Sequence, residues 1–383
     1  MQEVFRQRLD RPLAAPFVAF GGDVKCALAA GTGRDVVVYE AVGDLADPEN
    51  QDALEREAPR LIERAQGTPI LVCDKHPGYF SRKLCRRLAD EGGLNVVEVQ
   101  HHRAHIAAVA AEFNLTDRPI VGLAFDGTGY GDDGVIWGGE FFAGSAETGL
   151  SRQGSFAPLS LCGGDAAVRE PWRIALAFLI ESGVPDEHVR AWLELIGRPG
   201  DSLPAFAAAL RQGLNCVRTT ALGRWFDCFA VLWNVRTKID FEAQAAMDLQ
   251  RAAESASDGC FLGPASVRWM GDALAVIQFD PFLDTVEYML ADWSRQHQAL
   301  WAKQFHASVA DAVAIVTERL AAAQGTEIVC CGGGCFLNSL LCAMLDDRFA
   351  RLGLRRVQPK ALPPGDPAIG LGQIVLADRL ARA

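Results

Sequence analysis

A chain of 383 residues is long enough to bury a large core and to form two or three domains, which excludes a peptide or a tail. Its formal charge is −11, from 37 Lys and Arg against 48 Asp and Glu, and this argues against a nucleic-acid surface, which needs clustered cations. The 11 cysteines lack the even, short spacings of a disulfide framework or a CxxC pair, and Cys330, Cys331 and Cys335 are poorly spaced for zinc, so all are read as reduced core thiols of a cytoplasmic protein.

Residues 1–11 carry charges of both signs and no apolar run of a signal peptide, and 1–16 reads as a short N-terminal extension. Residues 17–20, 25–30 and 35–40 pattern as three short strands joined by Gly21-Gly22-Asp23 and Gly31-Thr32-Gly33 turns. A helix over 51–65, a strand over 69–73, a helix over 78–90 and a strand over 96–99 follow. Three antiparallel strands and then alternating helix and strand is the order of an RNase-H-like lobe, here 17–117.

The alanine-rich segment from His101 to Phe113 is expected to be a helix. Ile106, Val109 and Phe113 fall on one stripe, with His101 and His105 one turn apart beside it. A strand over 119–125 then delivers Asp126 at its C-terminal end, where open α/β sheets bind ligands. Residues 127–134, Gly-Thr-Gly-Tyr-Gly-Asp-Asp-Gly, cannot be regular structure, but glycine lets backbone N–H groups approach phosphate oxygens closely. A strand resumes over 135–142. The whole stretch reads as a metal and phosphate site, against the blander alternatives of two histidines on a solvated helix face and a simple hairpin turn.

Between 165 and 324 the pattern is mostly helical, with helices expected over 172–182, 185–196, 202–213, 223–232, 241–255, 286–297 and 305–323. The α/β pattern returns with a strand over 327–331, a helix over 336–345, a strand over 355–359 and a closing helix over 367–383. Residues 118–383 thus read as a second lobe carrying a helical insertion. The uncharged run 328–345 has the length of a membrane span, but Gly332-Gly333-Gly334, Asn338 and Ser339 interrupt it, so no membrane contact is expected.

Several stretches together resemble one family: 73–79 (Cys-Asp-Lys-His-Pro-Gly-Tyr), 99–105 (Val-Gln-His-His-Arg-Ala-His), 126–134 with Trp137-Gly138-Gly139-Glu140, and 163–173 (Gly-Gly-Asp-Ala-Ala-Val-Arg-Glu-Pro-Trp-Arg). Gly223-Arg224-Trp225-Phe226-Asp227, Glu242-Ala243-Gln244-Ala245-Ala246, Gly333-Gly334-Cys335-Phe336-Leu337-Asn338 and Pro363-Pro364-Gly365-Asp366 extend the match over nearly the whole chain. In this order they resemble the Kae-like C-terminal part of the HypF carbamoyltransferases of nickel-iron hydrogenase maturation.

The resemblance implies an ASKHA-type α/β fold, two RNase-H-like lobes around a nucleotide and metal cleft. It implies transfer of the carbamoyl group of carbamoyl-adenylate, itself made from ATP, to the C-terminal cysteine of HypE, with AMP as the leaving group of that transfer. It places His101, His105, Asp126 and Asp366 as ligands of one divalent metal, iron or zinc. Gly127, Thr128 and Gly129, with Gly332, Gly333 and Gly334, would cradle the nucleotide; Asp227 would hold ribose hydroxyls and Asn338 would lie beside the nucleotide. The alternative readings are a helix-surface charge for Asp227 and a helix cap for Asn338. Lys25 and Arg169 are candidates for charge stabilisation, or surface ion-pair residues. No segment resembles the acylphosphatase-like, zinc-finger or YrdC-like parts of full-length members, so a separate YrdC-like domain is expected to make the adenylate. Related activities of the same fold are tRNA threonylcarbamoyl transfer and antibiotic O-carbamoyl transfer, and a non-catalytic nucleotide-binding scaffold is a third reading.

Overall fold

The structure, a computed structural model, describes residues 1–256, 264–271 and 274–382. One sheet contains β1 (Glu3–Arg8), β2 (Phe17–Ala19), β3 (Ala29–Thr32), β4 (Asp35–Tyr39), β5 (Ile70–Asp74) and β6 (Val96–Val99) in the order β1-β4-β3-β2-β5-β6. A second begins with β7 (Ile120–Phe125), β8 (Gly139–Ser145) and β9 (Gly149–Phe156). After a separate ribbon of β10 (Leu159–Cys162) and β11 (Cys216–Thr219), it is completed by β12 (Ser266–Met270), β13 (Leu274–Gln278), β14 (Ile328–Gly332) and β15 (Arg355–Val357). Its order is β12-β13-β9-β8-β7-β14-β15.

Stripped of edge additions, both sheets repeat one pattern. β4-β3-β2 and β9-β8-β7 are antiparallel runs, and β5-β6 and β14-β15 continue them in parallel. This is the expected pair of RNase-H-like lobes. Residues 1–16 do not stand apart from it, because β1 pairs antiparallel with β4 and forms the outer edge of the first sheet.

Two helices form the layer at the centre of the molecule. His101–Glu112 packs on β7 and β14, Ile369–Arg382 packs on β2 to β6, and the two cross each other. The closing helix therefore belongs by topology to the second lobe but covers the first sheet; Ala383, at its expected end, lies outside the described residues. At the crossing a Cβ on Gly372 would stand 1.8 Å from the carbonyl oxygen of Ala104, so only glycine lets the backbones meet. The single apolar stripe expected of the histidine helix does not describe it. Both histidines and every residue from Ala104 to Ala111 are buried, because protein covers it on nearly every side.

Several expected boundaries move for identifiable reasons. The strand expected over 25–30 starts only at Ala29, since Lys25 turns with φ +47°. That expected over 135–142 starts at Gly139, because Trp137 N–H donates to the Gly129 carbonyl at 2.8 Å and keeps the preceding residues in the loop. The helix expected over 286–297 ends at Ala291, and a new one, Arg295–Gln324, starts where the Ser294 side chain accepts from His297 N–H. The insertion also holds β11 to β13; its residues 257–263 and 272–273 lie outside the described residues. Cys162 and Cys216, opposite each other in the β10–β11 ribbon, are joined by a disulfide, which corrects the reading of them as reduced thiols. Cys260 lies outside the described residues. No helix among the described residues is long and apolar enough to cross a membrane.

Candidate metal centre and adjoining cleft

His101, His105, Asp126 and Asp366 arrive from three places: one helix, the end of β7, and the turn that leads into the closing helix. One ligand atom from each lies within 4.8 Å of the others. His105 Nε2 is 3.2 Å from Asp126 Oδ2 and 3.6 Å from Asp366 Oδ1, and His101 Nε2 is 3.7 Å from the same Asp366 oxygen. Neither histidine nitrogen makes a properly directed hydrogen bond, although both are buried. Four donors that face a common point without bonding one another fit a first-row divalent cation with hard N and O ligands.

Asp74 completes this arrangement, and the sequence reading gave it no role. It ends β5, much as Asp126 directly follows β7, is fully buried, and accepts the Nδ1–H of His101 at 2.8 Å. That contact leaves the lone pair of His101 on Nε2, facing the cluster. Its other oxygen accepts from His76 N–H at 2.8 Å, so the carboxylate is fixed at both ends. Burial opposes charge on His101, yet Asp74 and then Asp366 and Asp126 push it up to about 9. Burial would likewise raise Asp126, but the close approach of His105 Nε2 at 3.2 Å and the other neighbouring histidines hold it well below the ordinary carboxylate range. The site therefore draws positive charge, which protons or a metal ion can supply.

Asp126 also lines a cleft of about 710 Å³ with Lys25, Gly127, Arg224, Asp227, Gly334 and Asn338 among its walls. This is the size of a small-ligand site. Asp227 is not a helix-surface charge: it is 2% exposed, and burial raises its pKa even with Arg224 beside it. Asn338 is both cap and wall. Its Oδ1 accepts from Leu341 N–H at 2.9 Å while its amide donates to Nε2 of buried His306 at 3.0 Å. His306 in turn donates Nδ1–H to the Ala302 carbonyl at 2.7 Å, and burial pushes it down to about 4, so it stays neutral. Sequence reading missed His306 because its partner is distant in the chain.

The glycine loops lie where expected, with some amides already used. Gly127 N–H donates to Asp126 Oδ1 at 2.7 Å and Gly333 N–H to the Pro364 carbonyl at 2.7 Å. Gly333 has φ +104°, and a Cβ there would stand 2.4 Å from the Phe125 carbonyl oxygen. Thr128 is exposed, while Gly129 is buried over His102 and His101. A Cβ on Gly332 would press on His105 at 3.1 Å, which ties this residue to the metal helix. Lys25 reaches the cleft; Arg169 is exposed in the short helix Asp165–Arg169 and is not among the residues lining it.

The sequence matches two family descriptions, "HypF Kae1-like domain" over residues 13–112 and "Carbamoyltransferase, Kae1-like Domain, second subdomain" over residues 122–373. It is 36% identical over 367 residues to a Cupriavidus necator protein described as "Carbamoyltransferase HypF homolog", covering 95% of this chain and 92% of that one. It is also 36% identical over 382 residues to "Carbamoyltransferase HypF2" of the same organism, covering 94% of this chain and 46% of that one. A crystal structure of full-length HypF in its phosphate- and nucleotide-bound form matches with a TM-score of 0.86 at 26% identity, over 99% of this chain and 48% of the other. The chain thus spans nearly all of the first relative and about half the length of HypF2 and full-length HypF.

Proposed function

The chain belongs to the HypF carbamoyltransferase family, and from that premise we propose that it transfers the carbamoyl group of carbamoyl-adenylate to the C-terminal cysteine of HypE, on the route to the cyanide ligand of a nickel-iron hydrogenase. The observation that carries this reading is that Asp126 is shared: it belongs to the four-donor cluster and lines the adjoining cleft. A nucleotide in the cleft would bring its reactive phosphate–carbamoyl linkage up to the cluster. Formation of the adenylate is assigned to a YrdC-like domain outside the two matched regions, both of which are described as Kae1-like.

An iron or zinc ion held by His101, His105, Asp126 and Asp366 would supply Lewis-acid polarisation of the phosphate or carbamoyl oxygen. Around it the chain's own groups bind and orient. Asp227 accepts ribose hydroxyls, and the base lies near Asn338, whose amide His306 holds in one orientation. With the amides of Gly127 and Gly333 engaged, those of Thr128 and Gly334 are left for phosphate, and Lys25 adds charge at the cleft mouth. In the transfer itself the acceptor thiolate forms a C–S bond to the carbamoyl carbon. The carbamoyl C–O bond to phosphate breaks and its electron pair leaves on AMP. No nucleophilic side chain of this protein is required, so catalysis rests on positioning and electrostatics.

The test supplies chemically made carbamoyl-adenylate and HypE. Mass spectrometry should find one added carbamoyl group on the C-terminal peptide of HypE, lost when its terminal cysteine is replaced. An unchanged peptide at saturating adenylate would overturn the assignment.

A further inference from the structure

Arg224 is a buried cation that neither the sequence reading nor the transfer scheme uses. It sits at the start of the helix Leu222–Leu232, which is fastened to the metal centre: Gly223 N–H donates to the Asp126 carbonyl at 3.1 Å. A Cβ on Gly223 would stand 2.9 Å from Gly127 Cα, so this close approach of helix and loop needs glycine. The next residue, Arg224, is consequently carried to the glycine loop. The nearest heavy atom to a Cβ built on Gly127 is Arg224 Nη2, at 3.2 Å.

The guanidinium is only partly satisfied there. Arg224 is 7% exposed, and Nη1 lies 3.0 Å from Asp227 Oδ2, a close ion pair. Yet Nη1, Nε and Asp227 Oδ2 have no properly directed hydrogen-bond partner among the described residues. A buried guanidinium with unpaired donors costs stability, and a half-made buried ion pair repays little of it. The surroundings sharpen the point. Asp126, Asp227, Glu242 and Glu254 all line the cleft, and of its three cationic walls, Lys25, Arg224 and Arg251, only Arg224 is buried. An anionic phosphate entering this acidic cleft needs a cation, and the planar fork of arginine suits phosphate oxygens.

Resting on the reading of the cleft as a nucleotide site, we propose that Arg224 receives the phosphate of the bound nucleotide, its unpaired N–H groups being completed by phosphate oxygens. Asp227 holds the fork in place before the nucleotide arrives and turns to the ribose afterwards. Arg224 thereby takes the charge-stabilising position for which Arg169 was a sequence candidate.

Calorimetry on the full chain with AMP and with adenosine separates phosphate from nucleoside binding and needs no acceptor. AMP should bind the wild type more tightly than adenosine. Arg224→Gln should cut AMP affinity roughly 10- to 100-fold, the worth of a charge-assisted hydrogen bond, while adenosine affinity changes little. Arg224→Lys should fall between. Where Arg224→Gln alone fails to fold around an unpaired Asp227, the neutral pair Arg224→Gln with Asp227→Asn keeps the test, read as the ratio of AMP to adenosine affinity. Asp227→Asn alone should weaken both ligands, because it removes the ribose contact that they share. An unchanged ratio in the Arg224 variants, with both ligands still bound, overturns the proposal and leaves the nucleotide cleft standing. A wild type that binds neither ligand overturns the cleft reading and this proposal with it.

Discussion

Replacing Asp74 by Asn changes one oxygen to an amide in a group that already has two N–H donors to satisfy, His101 Nδ1–H at 2.8 Å and His76 N–H at 2.8 Å. The asparagine offers one carbonyl oxygen, so whichever way it turns, one of those donors faces its NH₂. If the amide faces His101, the imidazole is pressed toward the other tautomer, with a proton on the Nε2 that should ligate. If it faces His76, the turn that orients Asp74 is lost. Loss of such an outer partner lowers metal affinity by roughly 10- to 100-fold, about 1.4 to 2.7 kcal/mol. The assay is competition with a chromophoric zinc chelator at neutral pH, with circular dichroism as a control for folding. Affinity within twofold of wild type in a folded Asp74→Asn protein would refute the claim that this carboxylate sets the histidine for the metal.

Purified protein should carry close to one equivalent of iron or zinc by elemental analysis, and His105→Ala should lose most of it while remaining folded; equal content would remove His105 from the ligand set. The depressed His306 makes stability pH-dependent. Below its ordinary 6.5 the unfolded chain takes up a proton that the folded chain refuses until about 4, so stability present above 6.5 is lost as pH falls through this window. At pH 5 the loss is about 2 kcal/mol, and urea titrations should show that decrement in the wild type but not in His306→Gln. Gly372→Ala should force the two central helices apart at Ala104 and cost about 1 to 3 kcal/mol in the same titrations, with reduced metal content.

What the sequence disclosed follows from how local each signal is. The spacing of His101 and His105 and the strand-end position of Asp126 are visible within one short segment, and the repeated strand order exposed both lobes. Asp366 joins these candidate ligands from far along the chain, and only the family resemblance placed it in the set. Asp74 carried a usable clue, since it ends a strand as Asp126 does, but nothing local says that it meets His101. His306 and Arg224 were hidden by folding: the first is recognised only by its contact with Asn338, the second by a helix start held against the Asp126 carbonyl. The β12–β13 hairpin escaped because five-residue strands inside a helix-rich insertion give too little periodicity to separate them from loop.

The crossing of the two central helices also sets an order of assembly during synthesis. His101, His105 and Asp126 leave the ribosome long before Asp366 and the helix Ile369–Arg382. Until that helix docks, the face of the first sheet that it covers stays open, and Gln373, whose side chain clasps both the N–H and the carbonyl of Gly21 at 3.0 Å, has not yet locked the turn beside Gly22. A Cβ on Gly22 would lie 3.2 Å from Asp366 Oδ2, so the last of the four candidate ligands sits against the same turn. A nascent chain paused before this helix therefore presents three donors and an exposed apolar sheet, and such a species is prone to aggregate. On the proposed ligand set, all four donors come together only once this helix has docked.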